Sequence, residues 1–270
     1  MPRARKVKAS KVSKAYSDFV VRILAAKRAG APARARALNE SPFLRACRRQ
    51  RVPFTPVWLM RQAGRYMKEY RLLREQVGFL ELCRDPGLAA DVTVSAAERL
   101  GVDAAIIFSD LLVVTGPLGL PVKFEKGEGP SIRRPVRRAA DVDRVRPFAP
   151  ARELPGVYEA IRRTRAALRP GLPLIGFAGA PFTIAAYLIE GGSSRTFERT
   201  RAFMRDDEGA WHALLGKLAP VLAGHLNGQL AAGAQAVQVF DSWVGCLSPD
   251  EYRRYVFPHT RALLRGIRRG

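Results

Sequence analysis

Short apolar runs alternate with longer amphipathic segments along most of this chain, and this alternation restricts its fold more than any other feature. Four runs have the pattern of buried strands, because each is apolar on both faces and ends in small or polar residues: residues 56–60, 104–108, 173–177 and 236–240. Strands that alternate with helices form a parallel sheet, covered on both faces or closed into a barrel. The sequence therefore predicts an α/β protein with its chemistry at the C-terminal ends of the strands.

Helix start and stop signals lie between these runs. Asp85 and Pro86 open a segment that closes at Gly101, which is the order of an N-cap, a first-turn proline and a C-terminal glycine. Further expectations are helices over residues 156–168 and 207–232, a kink at Pro220, a capping-box helix start at Ser248, a bend near Pro258, and a hairpin or lid over residues 119–136.

Charge is distributed unevenly along the chain. Lys and Arg number 46 against 24 Asp and Glu, a net charge of +22, and residues 1–37 supply +10 of it through eleven basic residues and one acidic residue. Such a run is usually a solvated tail, and no nucleic-acid recognition motif accompanies it. We therefore expect a basic, disordered extension over residues 1–37, a folded part over residues 38–270 and no nucleic-acid partner. A basic nucleic-acid-binding protein is the alternative from a different class.

Composition and spacing also argue against several kinds of site. The three cysteines are widely spaced without a CxxC pair, which favours a reducing compartment over a disulfide framework or a thiolate zinc site. The apolar runs are far shorter than the ~20 residues that a membrane-spanning helix needs. The three histidines lack metal-site spacing, and glycine-rich nucleotide motifs are absent. We expect a cytoplasmic protein without membrane contact, metal or cofactor, although the basic start is also compatible with an organelle transit peptide.

Polar side chains stand where the predicted strands end. Arg61 and Arg65 follow the first run, Asp110 follows the second, and Asp241 and Ser242 follow the fourth. Two guanidinium groups can clamp carboxylates, and a buried aspartate needs cations or hydrogen-bond donors to stay ionised. The same residues also suit structural roles, because an arginine pair is often a solvated helical face and aspartate is a common N-cap. On local grounds both interpretations stay open.

The third predicted strand leads into a small-residue turn and a helix start. The turn covers residues 176–183, and Tyr187 follows one helical turn after Thr183. A glycine pair before a helix is a weak signal for phosphate binding, and a tyrosine in such a helix more often packs in the core. The local pattern therefore does not decide the role of Tyr187.

Four stretches together carry a specific resemblance: TPVWLMRQAGRY at residues 55–66, DAAIIFSDLL at 103–112, GFAGAPFT at 176–183 with YLIEGG at 187–192, and VFDSW at 239–243. In this order they resemble the uroporphyrinogen decarboxylase family of heme biosynthesis, over roughly residues 43–265. The resemblance implies a (β/α)8 TIM barrel, a homodimer, and conversion of the four acetate side chains of uroporphyrinogen III to methyl groups without metal or coenzyme.

The resemblance also implies roles for single residues. Asp110 would accept hydrogen bonds from the pyrrole N–H groups and stabilise the cationic ring that forms when a pyrrole carbon is protonated. Arg61 and Arg65 would bind carboxylates, and Arg61 is the better candidate for the proton donor, although arginine is a reluctant acid. The substrate contacts that it assigns are Arg61, Gln62, Ala63, Arg65, Asp110, Tyr187 and Ser242.

The sequence departs from the family at its end. Family members continue for roughly a quarter of their length or more beyond residue 270, so we expect only about the first four βα units, a half barrel with two unpaired edges. A truncated gene, an incomplete gene model or a fragment would explain this, and we expect the chain to be marginal or to aggregate unless it pairs with another chain. The alternatives are a catalytically incompetent fragment and a corrinoid-dependent methyltransferase relative.

Overall fold

A computed structural model describes residues 31–125 and 129–268 of the chain. Most of the basic arm expected over residues 1–37 lies outside the described residues. Its last part, from residue 31, belongs to the helix Ala31–Asn39. The expected disorder of the arm before residue 31 stays a prediction.

A parallel three-stranded sheet forms the centre of the fold. The strands in chain order are β1 (Ala105–Ile106), β2 (Val122–Glu125), β3 (Gly129–Ile132), β4 (Leu174–Gly179) and β5 (Ala236–Phe240). The parallel sheet has the order β1-β4-β5, whereas β2 and β3 form a separate antiparallel hairpin. The predicted α/β class, three of the four predicted strands and the predicted hairpin are therefore confirmed.

The strand predicted at residues 56–60 is wrong. Among the described residues, the segment makes backbone hydrogen bonds to the sheet region through Val57, whose N–H donates to Asp103 Oδ2 at 2.7 Å and whose carbonyl accepts from the Asp103 N–H at 2.8 Å, and Trp58 packs against Ala104, Ile106 and Ile175. Further along, the Gln62 side chain occupies the outer edge of β1, and Pro56 has no N–H to donate. The described sheet thus has three strands rather than the four of the expected half barrel.

Helices surround the sheet, and their bounds follow the predicted signals closely. The α-helices are Ala31–Asn39, Pro42–Cys47, Lys68–Gln76, Phe79–Arg84, Pro86–Leu100, Ala139–Val142, Pro150–Glu153, Pro155–Ala167, Pro181–Glu190, Glu198–Asp206, Glu208–Ala231, Pro249–Glu251 and Phe257–Gly266. Short 3₁₀ turns cover Leu111–Val114 and Val244–Cys246, and a π-helical turn covers Tyr252–Val256. Among the described residues, no helix has the length and apolar character to cross a membrane.

The predicted helix caps are present. The Asp85 carboxylate accepts a hydrogen bond from the Leu88 N–H at 2.9 Å, and Gly101 ends that helix with a φ of +63°. Ser248 and Glu251 form the reciprocal capping box. These caps fix where the helices begin and end relative to the strands.

The two predicted proline effects differ from each other. The helix Glu208–Ala231 continues through Pro220 without interruption. Before Pro258, the π-helical turn Tyr252–Val256 separates the capping-box helix from Phe257–Gly266. The irregularity lies within the turn that precedes Pro258, where a proline leaves a carbonyl without its usual N–H partner.

The most completely buried part of the core lies on one face of the sheet. Trp211 and Phe182 are fully buried there, with ring centroids 5.9 Å apart, in helices that pack together over the sheet. By contrast, β5 is only half-buried along its whole length, although Val237 and Val239 pack against the same core. A groove of about 700 Å³ lies between β5 and the helix Phe257–Gly266. The sheet is therefore well covered at β4 and open at β5.

Candidate functional site

The C-terminal ends of β4 and β5 lie side by side, and β1 ends beside Ile175 of β4. The Ala180 N–H, just after β4, donates to the Phe240 carbonyl at the end of β5 at 2.8 Å, which fixes these two ends together. Asp110 follows β1 by four residues, and Asp241 follows β5 directly. Asp110 and Asp241 therefore both follow strands of the same parallel sheet, whereas Arg61 and Arg65 follow a segment that is not a strand.

Asp110 combines the structural and the functional interpretation of the sequence. Its Oδ1 accepts a hydrogen bond from the Leu112 N–H at 2.8 Å and caps the 3₁₀ turn Leu111–Val114. Its other oxygen accepts no hydrogen bond from any described residue. Burial raises the pKa of this carboxyl group, and the Leu112 N–H lowers it. One oxygen thus holds the turn, and the second is available to a cationic or N–H-bearing ligand.

The Tyr187 phenol lies within electrostatic reach of both Asp110 and Arg61. Burial raises the pKa of the Tyr187 phenol, the charge of Asp110 raises it further, and Trp243 and the charge of Arg61 lower it. Arg65 instead acts electrostatically on Tyr70, and both guanidinium groups are exposed. Tyr187 is therefore coupled electrostatically to Asp110 and to Arg61, whereas Arg65 acts on Tyr70.

The Gln62 side chain is placed differently from what a substrate contact requires. It is 2% exposed, its Nε2 donates to the Ala104 carbonyl at 2.6 Å, and its Oε1 accepts from the Ile106 N–H at 3.1 Å. The N–H groups of Gln62 and Ala63 make no hydrogen bond within the described part of the chain. At these two positions, the groups left for a ligand are backbone N–H groups rather than the amide of Gln62.

At the end of β5, the selected residues Asp241 and Ser242 lie with Thr183 and Trp243, which sequence analysis did not select for a role. Asp241 Oδ1 accepts a hydrogen bond from Thr183 Oγ1 at 2.9 Å, and the Trp243 N–H donates to the same hydroxyl at 3.3 Å. Ser242, between them, has an exposed side chain. Trp243 packs against Tyr187 with ring centroids 5.9 Å apart. Thr183 and Tyr187 are four residues apart and share a helix face, which was the available signal.

Two histidines that are remote in sequence come into contact away from this site. His212 Nδ1 lies 2.7 Å from His259 Nε2, and the His212 Nε2 lies 3.4 Å from Glu208 Oε1. Within the described ranges, no group of three or more His, Cys, Asp or Glu side chains is arranged to hold a metal ion. The 47-residue separation of the pair gave no sequence signal.

Comparisons with known proteins identify related sequences. The family model described as uroporphyrinogen decarboxylase (URO-D) matches residues 38–270. The uroporphyrinogen decarboxylase of Carboxydothermus hydrogenoformans is 52% identical over 219 residues, which are 81% of this chain and 63% of that protein. The proteins of that name from Sorangium cellulosum and Solibacter usitatus are each 54% identical, over 83% and 84% of this chain and 64% and 66% of their own lengths.

A solved structure supports the fold. The methyltransferase from Methanosarcina mazei matches with a TM-score of 0.63 and 20% identity, over 84% of this chain and 66% of that chain. At this identity the likeness shows the fold alone. The chain spans 63% to 66% of the length of the three relatives named above. Because the family model covers most of the chain and these relatives exceed 50% identity, the chain belongs to the uroporphyrinogen decarboxylase family.

Proposed function

We propose that this chain forms the first part of a (β/α)8 barrel and carries the part of a uroporphyrinogen decarboxylase active site that contains Asp110. The reaction removes carbon dioxide from the four acetate side chains of uroporphyrinogen III and gives coproporphyrinogen III, in the cytoplasm and in a homodimer. The observation that carries the proposal is the half-buried Asp110 carboxylate, which lies near Tyr187 and has one oxygen without a hydrogen bond to any described residue.

The chemistry needs an anion fixed beneath a tetrapyrrole. Protonation of a pyrrole carbon makes the ring cationic. The bond between the acetate methylene and its carboxylate then breaks, its electron pair neutralises the ring, and a proton moves from the ring carbon to the new exocyclic carbon to give a methyl group. A carboxylate already aimed at the ring stabilises the cation more than the neutral substrate, so it lowers the barrier.

The neighbouring groups suit the remaining carboxylates of the substrate. The Arg61 and Arg65 guanidinium groups are exposed and can form paired hydrogen bonds with carboxylates. Tyr187, in the helix that follows β4, and Ser242, after β5, supply hydroxyl donors. A net-positive chain also speeds the capture of an octa-acidic ligand.

The first prediction tests Asp110 in a chimera. Residues 38–270 replace the matching part of the Carboxydothermus hydrogenoformans relative, which supplies the rest of a barrel. We expect the chimera to convert uroporphyrinogen to coproporphyrinogen, and Asp110→Asn to lower kcat roughly 100- to 1000-fold because it removes the anion. Porphyrin products separated by their number of carboxyl groups give the rates.

Asp250→Asn is the matched control, since it makes the same charge change on a side chain that is 93% exposed. It should leave turnover unchanged. Undiminished coproporphyrinogen output from the Asp110→Asn chimera, or a folded parent chimera that binds no uroporphyrinogen, contradicts the proposal.

A further inference from the structure

A single buried hydroxyl joins the ends of β4 and β5 beside the proposed site. Thr183 is fully buried; its Oγ1 donates to Asp241 Oδ1 at 2.9 Å and accepts from the Trp243 N–H at 3.3 Å. Both bonds require the hydroxyl proton to point at Asp241, which leaves the oxygen lone pair for Trp243. The position of the Trp243 backbone is therefore tied to the helix that carries Tyr187.

The indole of Trp243 lies between two aromatic rings. Its centroid is 5.9 Å from the Tyr187 ring, nearly edge-on, and 5.3 Å from the Phe197 ring. This packing on two sides restricts the indole to one orientation. Phe197 therefore fixes the Trp243 side chain, and Thr183 fixes the Trp243 backbone.

The indole N–H is left without a formed hydrogen bond. Trp243 Nε1 is buried and has no hydrogen-bond partner among the described residues, which costs free energy for a polar group removed from water. The Tyr187 ring packs against this indole, and Trp243 lowers the pKa of the phenol, as a hydrogen-bond donor to the phenol oxygen does. We therefore take the phenol oxygen of Tyr187 as the acceptor for this N–H.

We propose that Trp243 is a positioning residue that holds the Tyr187 phenol for a substrate carboxylate, and that Thr183 and Asp241 anchor Trp243. This inference rests on the proposed function. When a ligand carboxylate accepts the phenol O–H, the phenol oxygen becomes a better acceptor, and the indole N–H completes its hydrogen bond to it. Asp241 then acts through Thr183 and does not face the pyrrole ring as Asp110 does.

A phenol titration of the full 270-residue chain tests the contact without any substrate. The ultraviolet difference between the chain and its Tyr187→Phe variant isolates the ionisation of this one phenol. We expect Trp243→Phe, which keeps a ring but removes the N–H, to raise the Tyr187 pKa. Trp211→Phe is the matched control, because it removes a buried indole N–H that donates to the Tyr255 carbonyl instead, and it should leave the Tyr187 pKa unchanged.

A double-mutant cycle with uroporphyrin, the oxidised octacarboxylic porphyrin, tests the consequence for binding. Trp243→Phe should weaken its binding to the chain roughly three- to tenfold, the value of one hydrogen bond, and should add little in a Tyr187→Phe background. Thr183→Val should show the same loss, and Thr183→Ser should restore it. If Trp243 has only a structural role, the binding losses of Trp243→Phe and Tyr187→Phe should be additive, and Thr183→Ser should not recover the binding that Thr183→Val loses.

The two measurements separate the two ideas. A raised Tyr187 pKa together with a non-additive binding cycle supports the positioning role. An unchanged phenol titration in Trp243→Phe, or additive losses, overturns it. A raised Tyr187 pKa in a folded chain that binds no uroporphyrin leaves the Trp243 contact standing, overturns its role toward a substrate carboxylate, and counts against the proposed function.

Discussion

The Asp110 carboxylate divides its two oxygens between folding and chemistry. Oδ1 caps the 3₁₀ turn that follows β1, so the hydrogen bond from the Leu112 N–H holds the side chain in place. A carboxylate fixed in this way needs little reorganisation when positive charge develops next to its other oxygen. The alternatives that local sequence left open, an N-cap or a functional anion, are therefore compatible in one residue.

The second prediction distinguishes Arg61 from Arg65. Only Arg61 acts electrostatically on Tyr187, so Arg61→Gln in the active chimera should raise KM for uroporphyrinogen more than Arg65→Gln does. Arg61→Lys keeps the charge but loses the paired geometry, and we expect KM to rise about tenfold with kcat largely kept.

The kinetics of the same Arg61→Lys variant also test whether Arg61 is the proton donor. A guanidinium ion does not release its proton readily. If Arg61 acts only as a fixed cation, Arg61→Lys should therefore leave the pH profile of kcat unchanged. If Arg61→Lys instead removes kcat while KM stays constant, Arg61 is an acid and not only a carboxylate ligand.

Sequence could select candidate residues for the site but not their hydrogen bonds. Asp110 and Ser242 stand out by position, because strand ends can be read from apolar runs, whereas Tyr187 is selected through the family resemblance, and the roles of all three stay predictions. The amide of Gln62 could not be assigned, since its partners are backbone groups more than 40 residues away. Nor could Thr183 be selected, because its role depends on contacts with a strand end 58 residues later.

Among the elements, β1 shows how a side chain can take the place of a strand. The strand is only two residues long and pairs with β4 through Ala105 and Ile106. Its other edge is filled by the Gln62 amide, which donates to one backbone group and accepts from another. A pattern of apolar residues cannot distinguish this arrangement from a fourth strand, which explains the wrong prediction for residues 56–60.

The third prediction concerns this amide. Gln62→Ala leaves the buried Ala104 carbonyl and Ile106 N–H without partners, so we expect the free energy of unfolding to fall by about 2–4 kcal/mol. Urea unfolding followed by circular dichroism measures it. Gln76→Ala, an exposed glutamine at the end of its helix, is the control and should change stability little. An unchanged stability in Gln62→Ala would mean that the amide is free to contact a ligand.

The fourth prediction concerns a buried histidine between two helices. His225 Nδ1 lies 3.0 Å from the Tyr158 hydroxyl, and burial lowers the pKa of His225 to about 4. In the unfolded chain its pKa is about 6.5, so the unfolded state binds the proton first as pH falls. The free energy of unfolding should therefore decrease between about pH 6.5 and pH 4, by on the order of 3 kcal/mol from this residue.

The slope of stability against pH is the readout. His225→Gln should remove this contribution to the slope, whatever it does to stability at neutral pH. His259, with a pKa of about 4 through burial and the charge of His212, acts in the same direction, and Asp91, with a pKa of about 6 through burial, acts oppositely. The parent and the variant must therefore be compared with each other. Parallel curves would show that His225 titrates normally in the folded chain.

At the scale of the whole molecule, the two edges of the sheet are unequal. The edge at β1 is covered by Gln62 and by the segment that holds Val57. The edge at β5 faces the groove of about 700 Å³, whose lining includes Val237, Val239 and the 51% exposed Leu264. The expected half barrel thus has one open edge rather than two, because the fold itself protects the other.

The fifth prediction follows from the open edge. An unpaired strand beside an apolar groove favours pairing with another chain, so the 29.8 kDa chain alone should associate as its concentration rises. Light scattering during size-exclusion chromatography measures the mass. Val239→Lys places a charge in the groove and should shift the chain toward monomer, whereas Ala139→Lys, on an exposed helix outside the sheet, should not. A monodisperse monomer at every concentration would show that β5 is protected, and full decarboxylation by that monomer would refute the half-barrel interpretation.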